Sequence, residues 1–398
     1  MSTPSSKPDS RLVALMVLLV LFSPLAIDIY LPAMPLMATE FDVAPTRIQD
    51  TISWFLVSLG LGQLLAGPLA DRFGRRPVAM AGIAIYAASS ALAWVAQSLD
   101  ALLIARLLQG AGACATSVCA FAAVRDSFGA KKSGQMISYL NGAICFIPAL
   151  APLLGSWLTH MFGWRSNFSF MMAYAVVAFV LVMTLFRETR PADTDTSGRL
   201  LSPSRYWQVL KEPVFVYHAV LCLLAMSVIL AYVTSAPVRL ISELGLSMEA
   251  FTLWFGTNAA FNIFASMTAP KVIEKFGSRK TLNAGMVTLL FAGCLMAALS
   301  GTQQAWAFML PVIVSSFGFA WILGSAAGKA LEPFGQRAGT AAALLGLFQM
   351  SGAGTLVSLT QRAGLSEPHL LVFHMLLLAP GLLILWSSAG KRWHTAEC

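Results

Sequence analysis

Hydrophobic residues in this chain fall into twelve long blocks separated by short polar stretches. The blocks run at about 12–38, 47–69, 77–97, 101–122, 134–158, 164–186, 214–238, 249–270, 281–300, 305–328, 338–360 and 369–389. A helix crosses the hydrocarbon of a bilayer with about 20 predominantly apolar residues. The pattern therefore predicts an all-α integral membrane protein of twelve transmembrane helices. The first block is not a cleaved leader. It is too long, it contains Pro24, Asp28 and Pro32, and no small-residue cleavage pattern follows it.

One polar stretch is longer than the rest. It runs from Ala192 to Glu212, near the middle of the chain, after Arg187-Glu188-Thr189-Arg190-Pro191 closes the sixth block. A linker between two six-helix halves reads this way. The expected division is a tail at 1–11, a bundle at 12–190, a linker at 191–213, a second bundle at 214–390 and a tail at 391–398.

Composition narrows the class. Of 398 residues 57% are hydrophobic and 11% charged, against roughly 25% charged in soluble domains, which excludes an ordinary soluble enzyme. The six cysteines form no CxxC pair and have no histidine at ligand spacing, so neither a disulfide framework nor a metal site is expected. With the N-terminus inside, 21 of the 26 Lys and Arg residues fall on the cytoplasmic side. Arg47, Arg165, Arg239 and Arg362 fall on the other, and Arg106 lies within a block. The positive-inside rule then places both termini in the cytoplasm. The basic residues are spread over seven segments and form no dense patch, so nucleic acid is not an expected partner.

The halves echo each other. Asp71-Arg72-Phe73-Gly74-Arg75-Arg76 matches Glu274-Lys275-Phe276-Gly277-Ser278-Arg279 at an offset of 203 residues, and Asp126-Ser127-Phe128-Gly129 matches Glu332-Pro333-Phe334-Gly335 at 206. Parallel repeats of this kind predict two bundles related by an axis along the membrane normal, with a substrate site between them near the midplane.

Three segments carry a family resemblance. Gly67-Pro68-Leu69-Ala70-Asp71-Arg72-Phe73-Gly74-Arg75-Arg76-Pro77 resembles the loop 2–3 signature of the major facilitator superfamily. Ala105 to Gly112, around Arg106 and Gln109, resembles its proton-coupling motif in helix 4. Asp28-Ile29-Tyr30-Leu31-Pro32 is typical of the Bcr/CflA drug:proton antiporters, and the run from Leu140-Asn141-Gly142 to Gly155 resembles the MdtL-type multidrug exporters. The resemblance implies a monomeric exporter of small amphipathic drugs such as phenicols in a bacterial inner membrane. It would exchange drug for protons, driven by the proton gradient with no cofactor and no ATP. It also implies that Gly67, Asp71, Arg72, Gly74, Arg75 and Arg76 latch the cytoplasmic ends of the bundles. Pro148, Pro152 and Gly155 in helix 5 would form a bendable, closely packed surface, because missing amide donors and small residues permit both. The sequence departs from the pattern at Ala151, where Gly usually precedes Pro152, and at Val20 and Leu21, where some relatives carry a second acid.

Asp28 and Arg106 stand out as the acid and the base deep inside a span, where an ionised residue costs at least ~2.5–3.5 kcal/mol. From Leu12, Asp28 lies about 24 Å along its helix. Arg106 lies roughly 8 Å below the outer end of its own. These depths suit a shared, partly hydrated cavity. One reading is a static ion pair. The other is a proton carrier tuned by an arginine, since burial favours the neutral carboxylic acid and a nearby guanidinium favours the charged one. Tyr30, Gln109, Asn141, Asn258 and Asn262 are the candidate substrate contacts, although amides also serve as glue between membrane helices. The run Gly324-Ser325-Ala326-Ala327-Gly328-Lys329-Ala330 is one residue short of a phosphate loop and ends a span, so ATP drive is not expected. A transporter of a small metabolite, a purine or a sugar, fits the same topology. A non-transporting membrane sensor is a third class.

Overall fold

Among the residues that the computed structural model describes every regular element is a helix. These are residues 10–191, 194 and 203–394, with their side chains except those at 10, 129–132, 134, 135, 138 and 335–338. The expected tails and linker lie partly outside those residues.

Among the described residues, eleven helices are long and apolar enough to cross a membrane. They are α1 (Arg11–Glu40), α2 (Pro45–Phe73), α3 (Arg75–Trp94), α4 (Leu99–Phe128), α5 (Tyr139–Phe162), α6 (Arg165–Leu185), α7 (Pro213–Glu243), α9 (Ser278–Leu299), α10 (Ala305–Phe334), α11 (Gly339–Gln361) and α12 (Glu367–Trp386). The remaining expected span is α8 (Met248–Phe276), whose 29 residues measure about 43 Å. Thr257, Asn258 and Asn262 in its middle make it less apolar, so it qualifies by length and not by composition.

Prolines explain the shape of α1. Its helical segments end at Val20 and at Asp28, four residues before Pro24 and Pro32 respectively. A proline has no N–H to offer the carbonyl four residues back, so the ladder stops at each site. The chain then passes through a 3₁₀ turn, Leu31–Ala33, before resuming as Met34–Glu40. Asp28 thus sits on the last residue before a break.

The polar loop expected between the fourth and fifth spans is absent. Backbone helix runs unbroken over 64 residues, Leu99–Phe162, about 96 Å if straight. Yet Arg165, just after its end, donates Nη2 to the carbonyl of Ala96, just before its start, at 2.9 Å. The helix therefore turns back on itself between Phe128 and Tyr139 while staying helical.

The repeat is visible in the packing. Gly74 (φ +104°) and Gly277 (φ +81°), 203 residues apart, make the same left-handed turn between helices, a conformation open to glycine. A Cβ on Gly82 of α3 would stand 2.9 Å from the carbonyl of Gly112 in α4, and one on Gly112 would stand 2.6 Å from that of Gly82. In the second half Gly285 of α9 and Gly318 of α10 repeat this mutual contact at 3.0 and 2.7 Å, 203 and 206 residues later. Across the halves α2 lies against α11: Ser351 donates Oγ to the carbonyl of Val57 at 2.7 Å, and a Cβ on Gly60 would meet the Ser351 amide nitrogen at 2.6 Å.

Candidate functional site

A cavity of about 450 Å³ lies between the halves, a size typical of small-molecule sites. Helix α1 contributes Ser23, Pro24, Ile27 and Asp28; α7 contributes Tyr232 and Val233; α8 contributes Phe255, Asn258 and Asn262. Cys145 and Pro148 of α5, Gln63 of α2 and Ser117 of α4 complete the polar and kinked parts of a mainly apolar wall. Asp28 is the one Asp, Glu, Lys, Arg or His in this lining. It is 4% exposed, and among the described residues nothing donates a hydrogen bond to its carboxylate and no cation pairs with it.

Arg106 is elsewhere. Fully buried, it donates Nε to the carbonyl of Thr51 at 3.2 Å and Nη1 to Gln109 Oε1. Its guanidinium lies over the rings of Phe55 and Tyr30, 4.5 and 4.9 Å from their centres. Its Nη2 has no partner. Gln109 extends the chain by donating Nε2 to Ser90 Oγ at 2.7 Å, and the hydroxyls of Tyr30 and Thr51 meet at 2.8 Å. The expected shared cavity is therefore corrected: Asp28 faces it, whereas Arg106, Tyr30 and Gln109 pack behind α1, inside the first half. The static Asp28–Arg106 pair is not formed. The level along α4 supplies the reason. Arg106 and Gln109, one turn apart, meet Thr51, Ser90 and Met171, while the cavity residues Cys114, Ser117 and Phe121 follow Arg106 by 8 to 15 residues, about 12–23 Å along the helix. Of the candidate amides, Asn258 and Asn262 line the cavity, with Asn258 Oδ1 accepting from Ser316 at 3.0 Å. Asn141 is exposed and outside it.

The loop 2–3 motif forms one network. Arg75 donates Nη1 to Asp71 at 2.5 Å and Nε to Asp126 at 2.9 Å. Arg76 reaches the carbonyl of Met183 at 2.6 Å. At its centre is a residue the sequence reading passed over, Glu188. Its carboxylate accepts the backbone N–H of Arg75 at 2.8 Å and of Arg76 at 3.1 Å, capping the first turn of α3 from the far end of the half, and also those of Thr189 and Arg190. Partial burial opposes ionisation, but these four backbone donors outweigh it and hold the carboxyl below its ordinary range. Arg190 closes the ring onto the carbonyls of Asp71 and Arg72, while the Arg72 side chain lies over Phe73. Every one of these partners belongs to the first half. Gly74 is required by its φ and by the nearness of Glu188; Gly67 has open space around it and provides no close approach.

In α5, Pro148 lines the cavity, Pro152 is buried, and Gly155 presses on α1. A Cβ on Gly155 would overlap the carbonyl oxygen of Ile29, the residue after Asp28.

The end of the cavity opposite Gly74 is closed by side chains from both halves. Gln49 of α2 donates Nε2 to the carbonyl of Thr234 at 3.1 Å and to Glu367 of α12 at 3.2 Å. Gln361 of α11 donates to Thr234 Oγ1 at 2.7 Å. Beside them Asp50 accepts from Ser358 at 3.0 Å and pairs with Arg362 at 3.4 Å and Arg47 at 3.5 Å. Thr234 follows Val233, a cavity residue, so this network is the cavity's roof.

The family model of the Major Facilitator Superfamily matches residues 16–356. Among curated proteins the chain is similar to the multidrug resistance protein MdtL of Vibrio parahaemolyticus, 30% identical over 90% of each chain. It is also similar to MdtL of Escherichia coli O127:H6, 31% identical over 89% of each. Among solved structures it shares its fold with a bacterial homologue of the human lysosomal transporter Spinster in an inward-facing, unoccupied conformation (TM-score 0.77, 14% identity, 99% of each chain). It shares it too with a D-xylose–proton symporter (TM-score 0.76, 16% identity, 95% of this chain and 97% of that one). Matched along nearly its whole length by fold and by sequence, the chain belongs to the major facilitator superfamily and is a multi-pass transporter of the bacterial inner membrane.

Proposed function

We propose that the protein exports small amphipathic drugs, phenicols among them, in exchange for protons, with Asp28 as the proton carrier. The observation that carries this reading is the unpaired Asp28 carboxyl, the one charged-type side chain in an otherwise mostly apolar cavity of drug size. An unpaired carboxylate in such a place costs several kcal/mol, and a proton or contact with water removes that cost. Drug and proton then compete for one chamber, which is what exchange requires. The naming of its relatives as multidrug resistance proteins supports the substrate class.

The orientation given by the basic loops puts the Gly74 turn in the cytoplasm and the Gln49–Glu367 roof on the periplasmic side. A proton bound on the periplasmic side is carried inward and leaves Asp28 as drug enters from the cytoplasm. Arg106 acts as a positioning residue: held by Thr51 and Gln109, it braces the Tyr30 ring and so fixes the break that carries Asp28. The Asp71–Arg75–Asp126–Glu188 network ties the cytoplasmic ends of α2, α3, α4 and α6 into one block, and a latch there works by moving that block as a unit. The cycle draws on the proton gradient, in a monomer, with no cofactor or ATP.

Proton release on adding chloramphenicol to detergent-solubilised protein tests this reading, wild type against Asp28→Asn. Release from the wild type alone is expected; equal release from both would move the proton elsewhere. A drug panel screened in everted vesicles by dissipation of ΔpH then defines the substrates.

A further inference from the structure

The roof holds three buried acceptors that lack a donor: Gln361 Oε1 and two that belong to one pair of residues. Gln49 Oε1 and Glu367 Oε2 are both buried with no hydrogen-bond partner, although Gln49 Nε2 already donates to Glu367 Oε1 at 3.2 Å. Flipping the amide does not help. Its Nε2 also donates to the Thr234 carbonyl at 3.1 Å, and a carbonyl can only accept, so the nitrogen must stay where it is. Both amide hydrogens are thereby used, and Oε1 needs a donor from outside Gln49. Leaving a buried acceptor unpaired costs the desolvation of that group.

One proton answers both deficits. Placed on Glu367 Oε2, it gives that oxygen a hydrogen to donate and gives Gln49 Oε1 a donor to accept from, closing a two-point pair between an amide and a carboxylic acid. We propose that Glu367 is a second proton-binding site, occupied when the roof is closed, so that proton binding there stabilises closure between the halves. Unlike the Asp28 proton, this one is taken up and returned on the same face, because Glu367 sits in the roof and does not line the cavity. It therefore sets the equilibrium between closed and open forms and adds nothing to the exchange stoichiometry. Which face that is rests on the orientation proposed above; the existence of the site does not.

The surroundings fit a single titrating carboxyl. Arg239 and Glu243 of α7 face it; Arg239 Nη1 is paired with Glu243 at 2.6 Å, while Arg239 Nε is buried with no hydrogen-bond partner. Ser235 lies beside it, and its hydroxyl has no partner. It could donate to an ionised Glu367, but that would leave Gln49 Oε1 as it is. On the helix of Gln49, Arg47 and Asp50 are engaged with each other and with Arg362. His369, two residues nearer the C-terminus, bonds to Ser366 at the surface at 2.7 Å. Helix α9, packed against α12, has its charged residues, Arg279 and Lys280, in its first turn at the opposite end.

The test measures the distance across the roof. Spin labels at Val95→Cys and Leu365→Cys, both exposed at this end of their halves, report it by electron–electron double resonance in a chain whose native cysteines are replaced. The Asp28→Asn background removes the other proton site, so failure here leaves the Asp28 reading standing. Because closure binds a proton, the closed-to-open ratio should rise as pH falls from about 8 to about 5.5, by up to about tenfold per pH unit. Glu367→Gln supplies a permanent donor to Gln49 Oε1 and should stay closed throughout. Gln49→Leu should abolish the pH dependence. A wild-type roof ratio that ignores pH, or a Glu367→Gln variant with the wild-type pH dependence, would overturn the proposal.

Discussion

Helix α5 carries two glycines whose replacement by alanine should have opposite effects. Alanine favours a helix over glycine by about 0.5–1 kcal/mol. Gly142 is exposed with nothing near its missing Cβ, so Gly142→Ala should gain up to about that amount. At Gly155 the new methyl would overlap the Ile29 carbonyl oxygen, with the carbonyl carbon at 2.7 Å and Asn167 Oδ1 at 3.2 Å. These are mostly backbone atoms and cannot swing aside, so α5 must back away from α1. Overpacking of this kind costs typically 1–3 kcal/mol, which leaves a net loss of up to about 2.5 kcal/mol for Gly155→Ala after the helix gain. The displaced carbonyl belongs to the residue after Asp28, so coupled transport should fall as well. Thermal unfolding in detergent and drug-dependent ΔpH dissipation in everted vesicles measure the two effects. If Gly155→Ala proves as stable as Gly142→Ala and transports normally, the contact between α5 and the break in α1 does not matter as argued.

Other substitutions probe the remaining parts. Glu188→Ala leaves four backbone N–H groups without their acceptor and should cost about 0.5–1 kcal/mol, the low end for a cap because this carboxylate is exposed to solvent screening. Since folding holds Glu188 below its ordinary range, its contribution is complete above the unfolded-state pKa of about 4.3. That contribution disappears as pH falls through the lower folded value, so wild type should lose more stability on acidification than Glu188→Gln. Arg106→Lys cannot serve Thr51 and Gln109 together; about 1.5–3 kcal/mol of stability should be lost with the second charged hydrogen bond, along with most transport, as unfolding and uptake assays would show. Asp28→Asn should abolish ΔpH-driven accumulation yet keep downhill drug flux, and uptake measured with and without a gradient separates the two.

The spans and the repeat were legible because each depends on residues within one stretch of chain. Twelve apolar blocks predicted the helices with ends within about six residues. The 203-residue echo of Asp71–Arg76 reappears as the turns at Gly74 and Gly277 and as the paired glycine crossings. The break at Asp28 was not predicted, although its cause is local: Pro32 deprives the Asp28 carbonyl of a donor. What failed was depth. Counting residues from the span ends suggested that Asp28 and Arg106 meet, but the part of α4 that lines the cavity begins two turns beyond Arg106, which bonds to Thr51 instead. Asn141 misled in the same way. Glu188 and the roof were hidden for another reason: the contacts that tie Glu188 to α3 and Gln49 to α12 span more than 100 residues of sequence.

The close contact of α2 with α11 at Gly60 has a mechanical consequence. Backbone meets backbone there, so separation at that level is resisted, and the two helices are better suited to tilt than to part. From Gly60 to Gln49 along α2 is eleven residues, a lever arm of about 16 Å. A tilt of only about 10° about that point would carry Gln49 by about 3 Å. That is enough to part hydrogen bonds of 3.1 and 3.2 Å, while the glycine crossings inside each half keep their shape. Opening on this fulcrum would separate side chains and leave the backbone packing of both halves intact.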